Sequence, residues 1–175
     1  MKKLLALLLA ASIAVTLAAC GGESASTGDG SKSGTEASAA AEHPITLDNG
    51  KTITINGDAD AAIAALGAHI DLMEAPSCVH DGSDKVYTYD GYTVTTSPAA
   101  DGSQYVAELS LTSDVVALDS GLYIGCTLAE AKKVFGEEGT ESFGVVKYEL
   151  DGMTVSIIAD GDTVTGITFA SSAAH

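Results

Sequence analysis

The stretch YTYDGYTVTTSPAADGSQYVAELSLTS, residues 87–113, alternates apolar and polar side chains with a period of two. Such alternation predicts β-strands that bury one face, and the Asp-Gly pairs between them are typical of tight hairpin turns. The stretch matches VKYELDGMTVSIIADGDTVTGITFASS, residues 146–172. In this alignment Leu109 and Leu111 correspond to Ile167 and Phe169. We therefore predict that one antiparallel meander occurs twice in the chain.

A short helix is predicted ahead of each meander. In the second copy, Thr127 and Glu130 have the spacing of a capping box, and Gly136 stands where a glycine commonly ends a helix. In the first copy, Asp58 is the expected N-cap and Gly67 the expected end. Apolar side chains follow the second cap at helical spacing: Leu128, Ala131, Val134 and Phe135.

These patterns predict an α+β fold made of two tandem repeats, each a short helix packed on a small antiparallel β-meander. The first repeat is assigned to residues 44–113 and the second to residues 114–172. An Asn-Gly hairpin is expected within residues 45–55, and residues 68–86 are expected to form a long loop. Because each helix covers one face of its sheet, the other face is expected to be open to partners.

The first 20 residues, MKKLLALLLAASIAVTLAAC, predict export from the cytoplasm. Two lysines and an apolar run are typical of a signal peptide, assigned to residues 1–19. The ending LAAC resembles a bacterial lipobox, which implies cleavage before Cys20 and a diacylglyceryl group on its sulfur. The alternative is an ordinary signal peptide or anchor with a chance cysteine. Residues 20–43, rich in Gly, Ser and Ala, then form a lipidated flexible tether on the outer side of the cell membrane.

Composition excludes several classes of partner. The chain has 24 acidic side chains against eight basic ones, a net charge of −16, and no arginine. This balance opposes binding to nucleic acid and to anionic lipid headgroups, so the membrane contact is assigned to the acyl chains alone.

The motifs of serine hydrolases, zinc proteases, dithiol redox proteins and P-loop enzymes do not occur. We predict a protein without catalysis, cofactor or metal.

Two cysteines remain beside Cys20. Cys78, in the segment SCVHDG, and Cys126 form an even pair outside the cytoplasm, which favours a disulfide. Two alternatives stay open. The thiols are unpaired and buried, or they serve metal or redox chemistry, with His80 and His69 as further ligands and Cys126 as a reactive thiol at a helix start.

Four tyrosines cluster in the first meander: Tyr87, Tyr89, Tyr92 and Tyr105. Tyrosine is enriched at protein interfaces, so an exposed stripe of these side chains is predicted as a binding surface. The alternative is that they are ordinary half-buried strand residues.

Two segments carry a resemblance to a known family. Y-x-Y-D-G-Y-x-V-x-T in the first copy and G-x-x-I-G-C-T-L-A-E-A-K-K-V-F-G in the second resemble bacterial lipoproteins of the β-lactamase-inhibitor-protein-like superfamily. That grouping includes the small lipoprotein of the outer-membrane β-barrel assembly machine. The resemblance, over residues 44–171, implies a protein-binding or envelope-assembly module. The alternative function is binding of a solute or metal by the loop from Cys78 to His80.

Overall fold

The structure is a computed structural model in which residues 41–173 and 175 are described. The signal peptide, Cys20 and most of the tether lie outside the described residues. The elements in chain order are β1 (His43–Thr46), β2 (Thr52–Ile55), α1 (Ala59–Leu66), β3 (Asp71–Pro76), β4 (Ser83–Tyr89), β5 (Tyr92–Pro98), β6 (Gln104–Leu111), α2 (Leu128–Phe135), β7 (Thr140–Ser142), β8 (Val145–Leu150), β9 (Met153–Asp160) and β10 (Thr163–Ser171).

Antiparallel pairing dominates the architecture. Eight strands form one sheet in the order β3-β4-β5-β6-β10-β9-β8-β7, and β1 pairs with β2 in a separate hairpin. The strands before and after α2 therefore meet in the middle of the sheet, where β6 pairs with β10. The predicted α+β class is confirmed. Neither helix of residues 41–173 and 175 is long and apolar enough to cross a membrane.

Both helices begin and end at the predicted residues. The Asp58 carboxylate accepts a hydrogen bond from the backbone N–H three residues later, at 2.7 Å. Thr127 and Glu130 form both bonds of the capping box. Gly67 and Gly136 follow the helices with φ of 80° and 98°, a region that glycine enters at little cost. Local chemistry thus accounts for the bounds of both helices.

The tight turns also follow the sequence. The Asp-Gly turns at residues 90–91 and 151–152 join β4 to β5 and β8 to β9. The turn at residues 47–51 joins β1 to β2, as the Asn-Gly pair predicts. In each case a glycine takes a positive φ, which allows the chain to reverse within a few residues.

The predicted loop at residues 68–86 is wrong. Its first part contains β3 and its last part belongs to β4. A short strand, β7, was missed as well, so each helix is followed by four strands. The segment DLMEAP of β3 has no apolar alternation and ends in proline. Pairing with β4 makes this segment a strand. Because β3 lies at the edge of the sheet, its other side is unpaired, and proline and polar residues are tolerated there.

The core lies between one face of the sheet, the helices and the β1–β2 hairpin. Its largest fully buried side chains include Phe169, Leu47, Ile53, Ile55, Leu109, Leu122, Ile157 and Ile167. From α2, Ala131 is buried, and Leu128 and Phe135 pack against this cluster. Val134 was expected beside them but is 43% exposed, since its position on the helix flanks the apolar stripe.

Candidate interaction surface

The second face of the sheet carries a row of hydroxyl groups. Strand register places one hydroxyl side chain at the same level of five neighbouring strands: Thr88, Thr93, Ser110, Thr168 and Ser156. None of them is buried. Ser110 Oγ and Thr168 Oγ1 lie 3.0 Å apart across the central strand pair. This face, called the open face here, is therefore polar and free of helices among the described residues.

Charge on the open face is mostly negative. Its carboxylates include Asp71, Asp84, Glu108 and Glu149. Lys147 is its one lysine within the described strands. The Ser110 hydroxyl donates to Glu108 at 2.9 Å, and the Thr154 hydroxyl donates to Glu149 at 2.7 Å. These bonds hold two of the carboxylates in place on the surface.

One end of the open face is apolar. Phe143, in the turn between β7 and β8, is fully exposed and has a φ of 50°. The next residue, Gly144, has a φ of 77°, so the turn has two left-handed residues. Asparagine or glycine is usual at the first of these positions, and a bulky side chain there is an outlier. Val145 and Ile158 form a cross-strand pair beside the turn.

The four tyrosines do not form an exposed stripe, so this prediction is wrong. Tyr89 and Tyr92 are buried and their rings stack with centroids 4.9 Å apart. Burial raises the pKa of both hydroxyls, and Tyr87 adds to the effect at Tyr89 while Tyr89 adds to it at Tyr92. Tyr87 packs against the core, whereas Tyr105 lies on the other side of the sheet. The four tyrosines are therefore divided between the two faces of the sheet.

A polar cluster surrounds Tyr105. The His175 ring stacks on the Tyr105 ring with centroids 3.6 Å apart. Its Nε2 atom lies 3.1 Å from Asn56 Oδ1, and His80 Nε2 lies 2.7 Å from the His175 backbone oxygen. Burial lowers the pKa of His175, and the neighbouring His80 charge lowers it further. The folded chain therefore favours the neutral form of this ring.

We expect stability to fall as the solution becomes acidic, because the ordinary pKa of His175 is 6.5 and its folded pKa is lower. The unfolded chain binds the proton first, so the free energy of unfolding decreases below about pH 6.5 until the folded pKa is passed. Denaturation of the full chain at about pH 7.5 and about pH 5 measures this slope. His175→Gln should flatten it, and an unchanged slope would contradict the assignment.

The expected disulfide is absent, because its two cysteines lie at opposite ends of the sheet. The loop of Cys78 leads into β4 beside Gln104, which starts β6. The backbone carbonyl of Cys126 accepts a hydrogen bond from the Val164 N–H at 2.9 Å. Val164 lies on the part of β10 that extends past Leu111, at the other end of β6. The eight residues of β6 separate these ends by roughly 20 Å. A disulfide joins Cα atoms within about 7 Å.

Alkylation should distinguish the two thiols. Cys78 is exposed and should react in the native full chain, whereas Cys126 is 2% exposed and should react only in denaturant. Peptide mass mapping assigns each label and separates them from Cys20. Cys78→Ser should leave no label on residues 41–175 of the native chain. If both thiols are protected and the non-reduced peptide carries both cysteines, a disulfide forms after all.

A cleft lies beside the segment that holds Cys78. It measures about 530 Å³ and is lined by residues 79–81 and 99–102. Two acids, Asp81 and Asp101, are in its lining. Hydrogen bonds from Ser103 lower the pKa of the Asp101 carboxyl. Within residues 41–173 and 175, no group of three or more His, Cys, Asp or Glu side chains is arranged to hold a metal ion. Binding of a solute or metal at this loop stays a prediction.

The exposed aromatic at the apolar end was missed by the sequence interpretation. Its signal was the Phe-Gly pair at residues 143–144, in a turn where Asn-Gly is the common choice. The hydroxyl row could not be found in the same way, since it depends on the register of five strands from both halves of the sheet. No protein-family model, curated protein or solved structure matches the chain.

Proposed function

We propose that this chain is a membrane-anchored extracytoplasmic lipoprotein that binds another protein through its open face and catalyses no reaction. Lipid on Cys20 and residues 20–43 would hold the domain at the outer side of the cell membrane. The proposal includes the resemblance to the β-lactamase-inhibitor-protein-like lipoproteins, whose known members are protein-binding modules.

A single observation carries the proposal: Phe143 is fully exposed in a left-handed conformation. For an ordinary side chain this conformation costs about 1–2 kcal/mol, and exposure of the ring adds no stability. Backbone strain of this kind is concentrated at functional sites, and aromatic side chains are the common anchors of protein interfaces. Val145 and Ile158 provide further apolar surface beside the turn. The hydroxyl row then offers hydrogen-bonding groups around this anchor.

The proposal also retains two tandem copies of one unit. Each helix precedes four strands, and the two sets meet at β6 and β10. In the sequence alignment Leu109 and Leu111 correspond to Ile167 and Phe169. In the sheet, Leu109 pairs with Phe169 and Leu111 pairs with Ile167. Such an exchange of equivalent positions is the contact that a twofold relation between two copies produces, as in isologous dimers.

A photo-cross-linking experiment tests the open face. Benzoylphenylalanine replaces Ser156 at the β9 end of the hydroxyl row, or Ala64 on the exposed side of α1 as the control. After irradiation of membranes that contain the full chain, we expect one discrete adduct from position 156 and none from position 64. Equal adducts from both positions, or adducts from position 64 alone, would contradict the proposal.

Phe143→Asn should separate binding from stability. We expect the yield of the position-156 adduct to fall about tenfold or more, because an interface anchor is lost. The free energy of unfolding should rise by about 1 kcal/mol, because asparagine tolerates the left-handed turn. Val79→Asn, which removes another exposed apolar side chain at the far end of the sheet, is the matched control. An undiminished adduct in Phe143→Asn would show that the ring is no anchor.

A further inference from the structure

β3, six residues long, forms one edge of the sheet and has one unpaired side. β3 is the outermost strand, and no described strand pairs with its outer side. All six of its residues are exposed. Ile70, just before the strand, is 71% exposed, and Met73 is 64% exposed. An exposed edge of this length with apolar side chains is a ready template for pairing with another chain.

The hydrogen bonds between β3 and β4 identify the free backbone groups. Ser77 donates its N–H to the Gly82 carbonyl at 3.0 Å, which continues the ladder beyond Pro76. In an antiparallel pair, bonded and non-bonded positions alternate along the strand. Leu72 and Glu74 occupy the non-bonded positions, so their N–H and C=O groups point away from β4. Pro76 is at a non-bonded position too, so its missing N–H removes no hydrogen bond to β4.

The residue types along the β3 edge are in the same order whether the strand is read forwards or backwards. Residues 71–74 are acid, apolar, apolar, acid: Asp71, Leu72, Met73 and Glu74. The adjoining residues Asp81 and Asp84 add negative charge, and Lys85, the one lysine of the β3–β4 hairpin, lies directly opposite Glu74. Directly opposed charges of unlike sign stabilise strand pairs, and like charges destabilise them. The complementary strand therefore has the pattern Lys-Val-Val-Lys.

The opposite edge of the same sheet differs. β7 is three residues long and contains Glu141, and the segment before it contains Glu137 and Glu138. Short length and charge are the common means of protecting an edge from further pairing. β3 also contains two acids and a proline, but it is twice as long as β7 and therefore offers more free backbone groups to an added strand.

We propose that β3 binds an extended, lysine-bearing peptide segment of a partner protein as an added strand of the sheet. The Leu72 and Glu74 backbone groups supply the hydrogen bonds, and Asp71 and Glu74 select the lysines. A second copy of the chain is a poorer occupant. Pairing of two copies would bring two acidic strands together, since each β3 contains Asp71 and Glu74 and each chain has a net charge of −16. The site uses the edge of the sheet and does not involve Phe143.

The test uses the full chain and the peptide acetyl-Thr-Lys-Val-Val-Lys-Thr-amide, followed by the NMR signals of the Leu72 and Glu74 amides. Addition of the peptide should shift these signals and slow their hydrogen exchange. Two probes remove the backbone bonds: Leu72→Pro in the protein, and N-methylation of alternate residues in the peptide. Each should weaken binding about tenfold per lost hydrogen bond. The N-methylated peptide keeps the test valid if Leu72→Pro does not fold.

Three outcomes overturn the proposal. Equal binding of the N-methylated peptide would show that charge alone attracts it. Equal binding of Thr-Glu-Val-Val-Glu-Thr would show that the acids select nothing. Slow exchange of the Leu72 and Glu74 amides before peptide is added would show that this chain already covers the edge, and sedimentation would distinguish a second copy from residues 1–40. Phe143→Asn should leave peptide binding unchanged, so failure of this proposal is distinct from failure of the open face.

Discussion

Phe169→Ala should lower the free energy of unfolding by about 3–5 kcal/mol, the largest effect of any single truncation that we expect. Phe169 is 2% exposed and lies on β10, between Leu109 on β6 and Val155 on β9. Its ring centroid is 6.1 Å from that of Phe135 on α2. The substitution leaves a cavity where the two halves of the sheet and a helix meet, and neighbouring side chains fill such a cavity only in part.

Phe143→Ala is the matched control for this prediction, because it removes the same atoms from a fully exposed site. Its effect on stability should stay within about 0.5 kcal/mol. Chemical denaturation of the full chain at neutral pH measures both variants. Similar losses at the two positions would mean that β6 and β10 do not join the halves around Phe169.

Gly91→Ala should lower the free energy of unfolding by about 2–3 kcal/mol, through two causes that act together. Gly91 has a φ of 83°, where a side chain is strained. A Cβ atom there would also lie 2.6 Å from Val115 Cγ2 and 3.2 Å from Val116 Cβ. Because Val116 is buried, the segment after β6 has little room to move away.

Gly102→Ala separates the two causes. Gly102 has nearly the same conformation, with a φ of 85°, but a Cβ atom there has no neighbour within 4 Å. It should cost only the conformational strain, about 1 kcal/mol. The excess loss in Gly91→Ala then measures the packing of the segment 112–127 against the β4–β5 turn. Equal losses would show that this segment is free to move.

Local chemistry explains the predictions that the structure confirmed. A helix cap depends on residues three positions apart, as for Thr127 and Glu130, and a hairpin turn depends on two adjacent residues. The α+β class follows from the same short patterns. β3 was missed because its six residues have neither alternation nor a turn signal, and its pairing with β4 makes it a strand.

Long-range register explains the predictions that were wrong. Cys78 and Cys126 were paired because only two cysteines remain after Cys20, but a count holds no information on distance. Tyr87 and Tyr105 lie on opposite sides of the sheet because a bulge in β6 and the β5–β6 turn decide which side each residue takes.

The sequence by itself determined the helix caps, the tight turns, the alternating strands and the excess of negative charge, since each depends on residues within a few positions or on composition. Only the tertiary structure decided which strands are neighbours. The pairing of β6 with β10 brings one row of hydroxyls together from both halves, and the same pairing leaves β3 at one edge of the sheet. Such contacts join residues that are about 60 positions apart, so their energy depends on the whole sheet and not on any short segment.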